Sequence, residues 1–360
     1  MKRKIIIKNN CSTFMLKDEQ SYLIGHNLDN PDNVPGGIFI NRRGVQKRNI
    51  SFQELISGVP PASPSITWVA RYGSITFNTA GKEFIDGGIN EAGLFIQEMT
   101  LRETEYPLVE NNPTFFMQQW MQYVLDNYSS LDELLAGLEQ VSIDGWPWHF
   151  FTADRSGAVA VIQFIAGKTQ IYTGDRLPYP LLCNAQYPQE IKNLKQHSGF
   201  GGDQPLVQPG STIEEFGPAR FPIGVTLMQN KPDNLTVDYA FKILQSIGHP
   251  DWTKWSYVID LPAQEIHFKT NQSPLRKQFS YADEDFSSCS LDKLLNIHTS
   301  ANGEVGALFE GYTEEQNVRM VDACLDEFTQ WEDALAELGG SLSEWRVNMK
   351  AYPASTRIIE

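Results

Sequence analysis

Cysteine is scarce and unpaired in this chain. Four cysteines stand among 360 residues, at 11, 183, 289 and 324, with no CxxC pair and no HExxH. That spacing excludes a disulfide scaffold and speaks against a structural zinc site or a thioredoxin-like motif. Positive charge is also short: 29 Lys and Arg face 44 Asp and Glu, for a net charge of −15. No basic patch or stripe stands out, so no nucleic-acid partner is expected. Long apolar runs are missing. The leader MKRKIIIKNN is basic, but its apolar run is only Ile5–Ile7, whereas a secretory signal needs roughly 7–15 such residues. Nothing approaches the roughly 20 apolar residues of a membrane span. As written the chain reads as cytoplasmic, unless a signal was missed upstream of the given start. There is no GxSxG elbow, no GxGxxG and no GxxxxGK[ST], which leaves an α/β-hydrolase serine and those phosphate-binding loops unsupported. His149, His197, His249, His267 and His298 show no metal-ligand spacing. No metal or organic cofactor is called for.

What remains is an ordinary globular composition, 41% hydrophobic and 20% charged, in which strands come first. STFML and SYLIGHNL flank the polar KDEQ, which predicts a hairpin starting at Cys11. GGIFINRRG, ITWVARYGSITFNT and GLFIQEMTL add strands, and GVPPASPS (58–65) is a proline-rich loop. After Pro113, TFFMQQWMQYVLDN carries helical spacing, and Ser130 with Glu133 opens a second helix as a capping box. WHFFTAD, AVAVIQFI, TQIYTG and YPLLCNAQ then read as an antiparallel meander rather than a βαβ array. Residues 236–247 are predicted helical, and KWSYVIDLPAQEIHFKT is a hairpin turning at LPAQ. Thr313 with Gln316 opens a helical tail. GWPWHFF (145–151) reads as packing, and Cys183, Cys289 and Cys324 as structural. The chain is thus a layered α+β domain with a helical C-terminal appendage.

Cys11 taken alone reads first as a small buried hydrophobe. Its chemical reading is a nucleophile exposed when Met1–Asn10 is removed. The freed α-amine has a pKa near ~7.7–8.0, suited to a general base, and sits on the same residue as the thiol. One residue then supplies both nucleophile and base. The Asn10-Cys11 bond is a plausible cut site, because the thiol can attack the carbonyl before it.

Cys11, GHNLD at 25–29, GGINEAGL at 87–94, LLCNAQYP at 181–188 and FGPARFP at 216–222 fall in one order and spacing. Together with TADRSGAVAVIQF and TKWSYVIDLPAQEIHFKT, they resemble the choloylglycine hydrolase and penicillin V acylase family, linear-amide hydrolases of the N-terminal nucleophile class. The resemblance runs from Cys11 to about residue 320. It implies a four-layer αββα sandwich over residues 11–312, a removable leader at 1–10 and a helical C-terminal extension, 313–360, packed on it.

The resemblance also assigns roles. Cys11 is the nucleophile and Asp29 holds its new amine. Asn90 and Asn184 form the oxyanion hole, and Arg220 lies near the sulfur and favours thiolate. His26 departs from the arginine of the bile-salt-cleaving members and is expected as a site neighbour of pH-dependent charge. The implied reaction is hydrolysis of a small acyl amide such as penicillin V, a conjugated bile salt or an N-acyl homoserine lactone, without a cofactor. Losing the leader's four basic residues takes the charge from −15 to −19, which Arg71 and Arg220 would offset locally. Three rivals stay open: an acyltransferase on the same fold, a non-catalytic unprocessed binding protein, and a papain-like thiol enzyme. The acidic tail helix leaves room for a homo-oligomer.

Overall fold

A computed structural model of the chain describes residues 11–19, 21–59, 64–206, 213–327, 332, 335, 336 and 338–358. The leader falls outside them. The hairpin after Cys11 forms from strands Ser12–Lys17 and Tyr22–Asp29, in register from Ser12 opposite Asn27 to Lys17 opposite Tyr22. Its turn closes where Asp18 N–H donates to Ser21 O at 3.1 Å and Asp18 Oδ1 accepts from Ser21 N–H at 2.6 Å.

This hairpin supplies the second and third strands of one sheet. Leu181–Leu182 pairs with its first strand, and Thr253–Asp260, Glu265–Thr270 and Lys277–Ser280 follow on its second. The Thr253–Thr270 hairpin turns at Leu261–Gln264, where LPAQ was expected to turn. A second sheet runs in the order Lys168–Thr173, Val159–Ile165, Trp148–Ala153, Phe95–Thr100, Ile85–Asn90, Ser74–Asn78, Gly37–Asn41, Lys293–Asn296 and Glu310–Gly311. The predicted meander is its first half.

The two sheets stack face to face. Phe77 of the second lies flat on Tyr257 of the first, ring centroids 3.9 Å apart. Tyr257 also donates its hydroxyl to Gln97 Oε1, and Thr13 Oγ1 meets Met99 sulfur at 3.5 Å. Helices cover both outer faces. Val237–Ile247 lies on the first sheet, where Asn27 Nδ2 donates to Leu244 O at 2.8 Å. Met117–Asn127 lies on the second, with Trp120 edge-on to Phe150 at 4.8 Å. The order is helix, sheet, sheet, helix. Both sheets are antiparallel at their hearts and buried on both faces, which only layers on each side can achieve.

The tail joins the outer helical layer on the second sheet. Thr313 and Gln316 cap helix Glu314–Glu327 reciprocally, with Gln316 Oε1 accepting from Thr313 N–H at 2.8 Å and Thr313 Oγ1 from Gln316 N–H at 3.2 Å. Helix Leu342–Thr356 packs Trp345 against Phe52 and Tyr352 against Phe84. Val321, Cys324, Trp345, Met349 and Tyr352 share one buried core with the helices and strands beneath them. Arg357, just past the last helix, pairs with Asp292 at 2.5 Å, and Asp292 also meets the wholly buried Lys82 at 3.3 Å. The tail is therefore sutured by apolar packing and a buried ion pair rather than merely laid on the surface.

One element was not legible beforehand. FGPARFP lies inside a helix, Ile213–Gln229, despite Pro218 and Pro222. Pro222 has no N–H for the Pro218 carbonyl. Asn193 Nδ2 from the neighbouring helix supplies that bond instead, at 2.7 Å. The two prolines bracket Arg220 and present it to the sheet edge.

Candidate active site

Cys11 precedes the first strand and is wholly buried, its sulfur 4.0 Å from the backbone oxygen of Asp29. Asp29 closes the partner strand, so the hairpin register itself brings the two together. The Asp29 carboxylate is also wholly buried. One oxygen accepts the Thr253 hydroxyl at 2.5 Å, and the backbone N–H of His249 also binds the group. The other, Oδ2, has no partner among the described residues. Burial pushes the Asp29 carboxyl up to about 7, against the downward pull of the Arg220 charge.

Arg220 is the hub. It is 1% exposed, donates from Nη1 to the Cys11 carbonyl oxygen at 2.6 Å and from Nη2 to Asn184 Oδ1 at 2.9 Å, and lies over the Phe216 ring. Asn184 in turn donates Nδ2 to the Thr100 carbonyl at 2.8 Å. A continuous chain of contacts therefore runs Cys11–Arg220–Asn184–Thr100.

The sequence reading placed five residues at one centre, and the structure brings together four: Cys11, Asp29, Asn184 and Arg220. Asn90 lies elsewhere. Its amide donates to Leu125 O at 2.9 Å and Tyr128 O at 2.7 Å, and its Oδ1 accepts Leu94 N–H at 2.9 Å. Asn90 thus pins the end of the Met117–Asn127 helix and the turn leading into strand Phe95–Thr100. The site lies at the far end of that strand, roughly 17 Å away at the usual rise per residue. With both amide hydrogens committed, Asn90 has no donor to offer an oxyanion.

Thr100 occupies the place expected of Asn90. Its hydroxyl is buried and unpartnered among the described residues, and its carbonyl is held by Asn184. Nothing in the residue type marked it. Only the register of the second sheet puts it there.

Among the described residues, Arg220 donates to the Cys11 carbonyl and to Asn184. Its charge lowers the thiol pKa, but burial, with Glu98 and Asp29 adding to it, raises that pKa well above the ordinary value. Cys11 is a protonated thiol here. His26 sits in the hairpin opposite Thr13, with Nδ1 2.8 Å from Thr13 Oγ1 and the ring 5.1 Å from Tyr257. Burial pushes His26 down to about 3, so it is neutral and gives Cys11 no charge. Arg71 is exposed and bonds Asn127 O at 3.1 Å, outside this chain of contacts. Cys183 and Cys324 are buried as structural cysteines should be, but Cys289 is exposed. No group of His, Cys, Asp and Glu among the described residues could hold a metal ion. No helix among them is long and apolar enough to cross a membrane.

Two facing sheets between helical layers, with a cysteine at the head of the first hairpin, are the arrangement of N-terminal nucleophile hydrolases. The family profile of linear amide C-N hydrolases, choloylglycine hydrolase family, matches residues 11–219. The chain belongs to this family and is a linear amide C-N hydrolase. It is 25% identical over 305 residues to a penicillin V acylase of Pectobacterium atrosepticum, a match spanning 72% of this chain and 80% of that one. Its fold is similar to that of a penicillin V acylase from Agrobacterium tumefaciens (TM-score 0.71, 19% identity, 84% of this chain and 98% of that one). A variant of the conjugated bile acid hydrolase of Clostridium perfringens is also similar (TM-score 0.64, 17% identity, 81% and 99%).

Proposed function

We propose that the chain cleaves a small N-acyl amide through Cys11 after Met1–Asn10 is removed, by way of a thioester. The observation that carries this reading is Asp29 Oδ2, buried beside Cys11 with no hydrogen-bond donor among the described residues. A buried carboxylate oxygen without a donor is costly, and a freed α-amine on Cys11 is the group that would fill it.

The steps follow from the charges. The buried thiol keeps its proton at rest, so attack needs a base, and the amine of the same residue is that base. As the sulfur bonds the carbonyl carbon, the thiol proton moves to the amine and the carbonyl oxygen becomes an oxyanion. Among the described residues, Asn184 retains one amide hydrogen beyond that given to Thr100 and the Thr100 hydroxyl has no partner; these two are the candidate oxyanion donors. The C–N bond breaks as the ammonium returns the proton to the leaving amine. Water then attacks the thioester, passing a proton through the same amine, and the acid leaves with Cys11 restored as thiol. Arg220 orients both ends of this device by holding the Cys11 carbonyl and the Asn184 amide.

The substrate is an acyl amide of the penicillin V, conjugated bile salt or N-acyl homoserine lactone kind, which the penicillin V acylase relatives support. The test is intact mass spectrometry of the purified protein beside an acyl-amide panel, run on wild type and Cys11→Ala. Turnover by processed wild type alone is expected. Turnover by Cys11→Ala, or by a chain still carrying residues 1–10, would overturn the mechanism.

A further inference from the structure

Asp29 does not stand alone at the end of its strand. Thr253 opens the neighbouring strand directly opposite it, and the Thr253 hydroxyl donates to Asp29 Oδ1 at 2.5 Å. Among the described residues, that leaves Oδ2 as the open corner of the carboxylate. The backbone around the pair is tied down as well. Asn30 N–H donates to Trp252 O at 2.8 Å, and Thr253 N–H donates to His249 O at 3.0 Å. The residue after Asp29 is thus joined to the residue before Thr253.

A regular ladder would not pair Thr253 with Asp29. From Asp260 opposite Leu23 to Trp255 opposite Leu28, the two strands keep one unbroken antiparallel register. One more step of that register would set Lys254 opposite Asp29. The register shifts there instead, and Thr253 takes the place. Lys254 becomes the extra residue of a β-bulge, a device that re-aims a side chain. Its ammonium donates to Asp251 O at 3.2 Å, and no ion pair joins it to Asp29 among the described residues. A lysine opposite Asp29 would compete with any other amine for the open carboxylate oxygen. Threonine brings one hydroxyl proton and no charge.

We propose that Thr253, set in place by this bulge, is the positioning residue of Asp29: its hydroxyl fixes Oδ1 so that Oδ2 stays turned to the Cys11 amine, and the bulge keeps Lys254 off the carboxylate. The proposal rests on the freed amine of Cys11 being the base of the reaction. A carboxylate that loses the Thr253 donor is free to rotate, and the amine it holds loses its aim at the thiol and the leaving group.

Two variants of the full chain separate the donor from the packing. Thr253→Val keeps the branched shape and removes the hydroxyl. Thr253→Ser keeps the hydroxyl and removes the methyl. Intact mass spectrometry gives the processed fraction, and kcat and KM are taken per processed chain on an acyl amide that wild type turns over. Thr253→Val is expected to lose about tenfold or more in kcat at little changed KM, and Thr253→Ser to retain most of the wild-type kcat. Wild-type kcat in Thr253→Val overturns the proposal. So does an equal loss in both variants, which would mark a packing role. Should Thr253→Val fail to melt cooperatively, Thr253→Ala against Thr253→Ser gives the same comparison. Failure of the underlying reaction would show separately, as turnover by Cys11→Ala or by uncut wild type.

Discussion

Asp29 offers a stability test that needs no knowledge of the substrate. Its carboxyl is held at about 7 rather than 3.8, chiefly by burial. Between those two values the folded chain keeps a proton that the unfolded chain has lost, so stability falls as pH rises through the window and levels off above it. A shift of roughly three units corresponds to about 4 kcal/mol at pH 8. Asp29→Asn removes that ionisation while keeping the size of the side chain. In a Cys11→Ala background, where the proposed self-cleavage is blocked and no new amine forms, Asp29→Asn should be the more stable protein by up to about 4 kcal/mol at pH 8. The gap should close by pH 4. Urea unfolding followed by tryptophan fluorescence at four pH values between 4 and 8 measures it. In the processed enzyme the new ammonium would hold Asp29 charged, and the advantage of Asn should shrink or reverse. A gap that is independent of pH, or that widens toward acid, would refute the claim that burial governs this carboxyl.

Arg220→Ala removes charge-assisted bonds to the Cys11 carbonyl and to Asn184. It should cut kcat by about 100-fold, the rate equivalent of one such bond, and move Cys11 labelling to higher pH; near wild-type kcat would contradict the hub role. Asn90→Ala gives up three hydrogen bonds, two of them buried, and should cost about 2–4 kcal/mol of stability. The pH profile of Cys11 labelling in that variant should match wild type, whereas a shifted profile would return Asn90 to the site. Asp86 and Glu98 face each other across neighbouring strands, each with a buried oxygen lacking a partner among the described residues. Burial pushes Asp86 up to about 8. Asp86→Asn should therefore gain stability over wild type from pH 4 upward, most of all near pH 8, in the same unfolding assay; a uniform loss would refute the sign.

The sequence alone settled what could be settled by type and local pattern. A lone cysteine behind a basic leader, alternating strands on either side of KDEQ, and the Thr313–Gln316 cap are short-range features, read from residues that touch along the chain. The family followed because its motifs keep their order even where each is weak. Which motif residue reaches the sulfur is a different kind of question. Asn90 and Thr100 lie ten residues apart on one hairpin, and only the pairing of Phe95–Thr100 with its neighbours decides that Thr100, not Asn90, meets Asn184. Pro218 and Pro222 argue locally against a helix, yet Asn193 from another element replaces a lost backbone bond and lets Arg220 project from one. The ionisation of Cys11, His26 and Asp29 was equally invisible, since burial dominates each of them and burial exists only once the layers have closed. Chemistry was written in the residue types. Geometry and protonation came from long-range register and from the exclusion of water, which no stretch of sequence contains by itself.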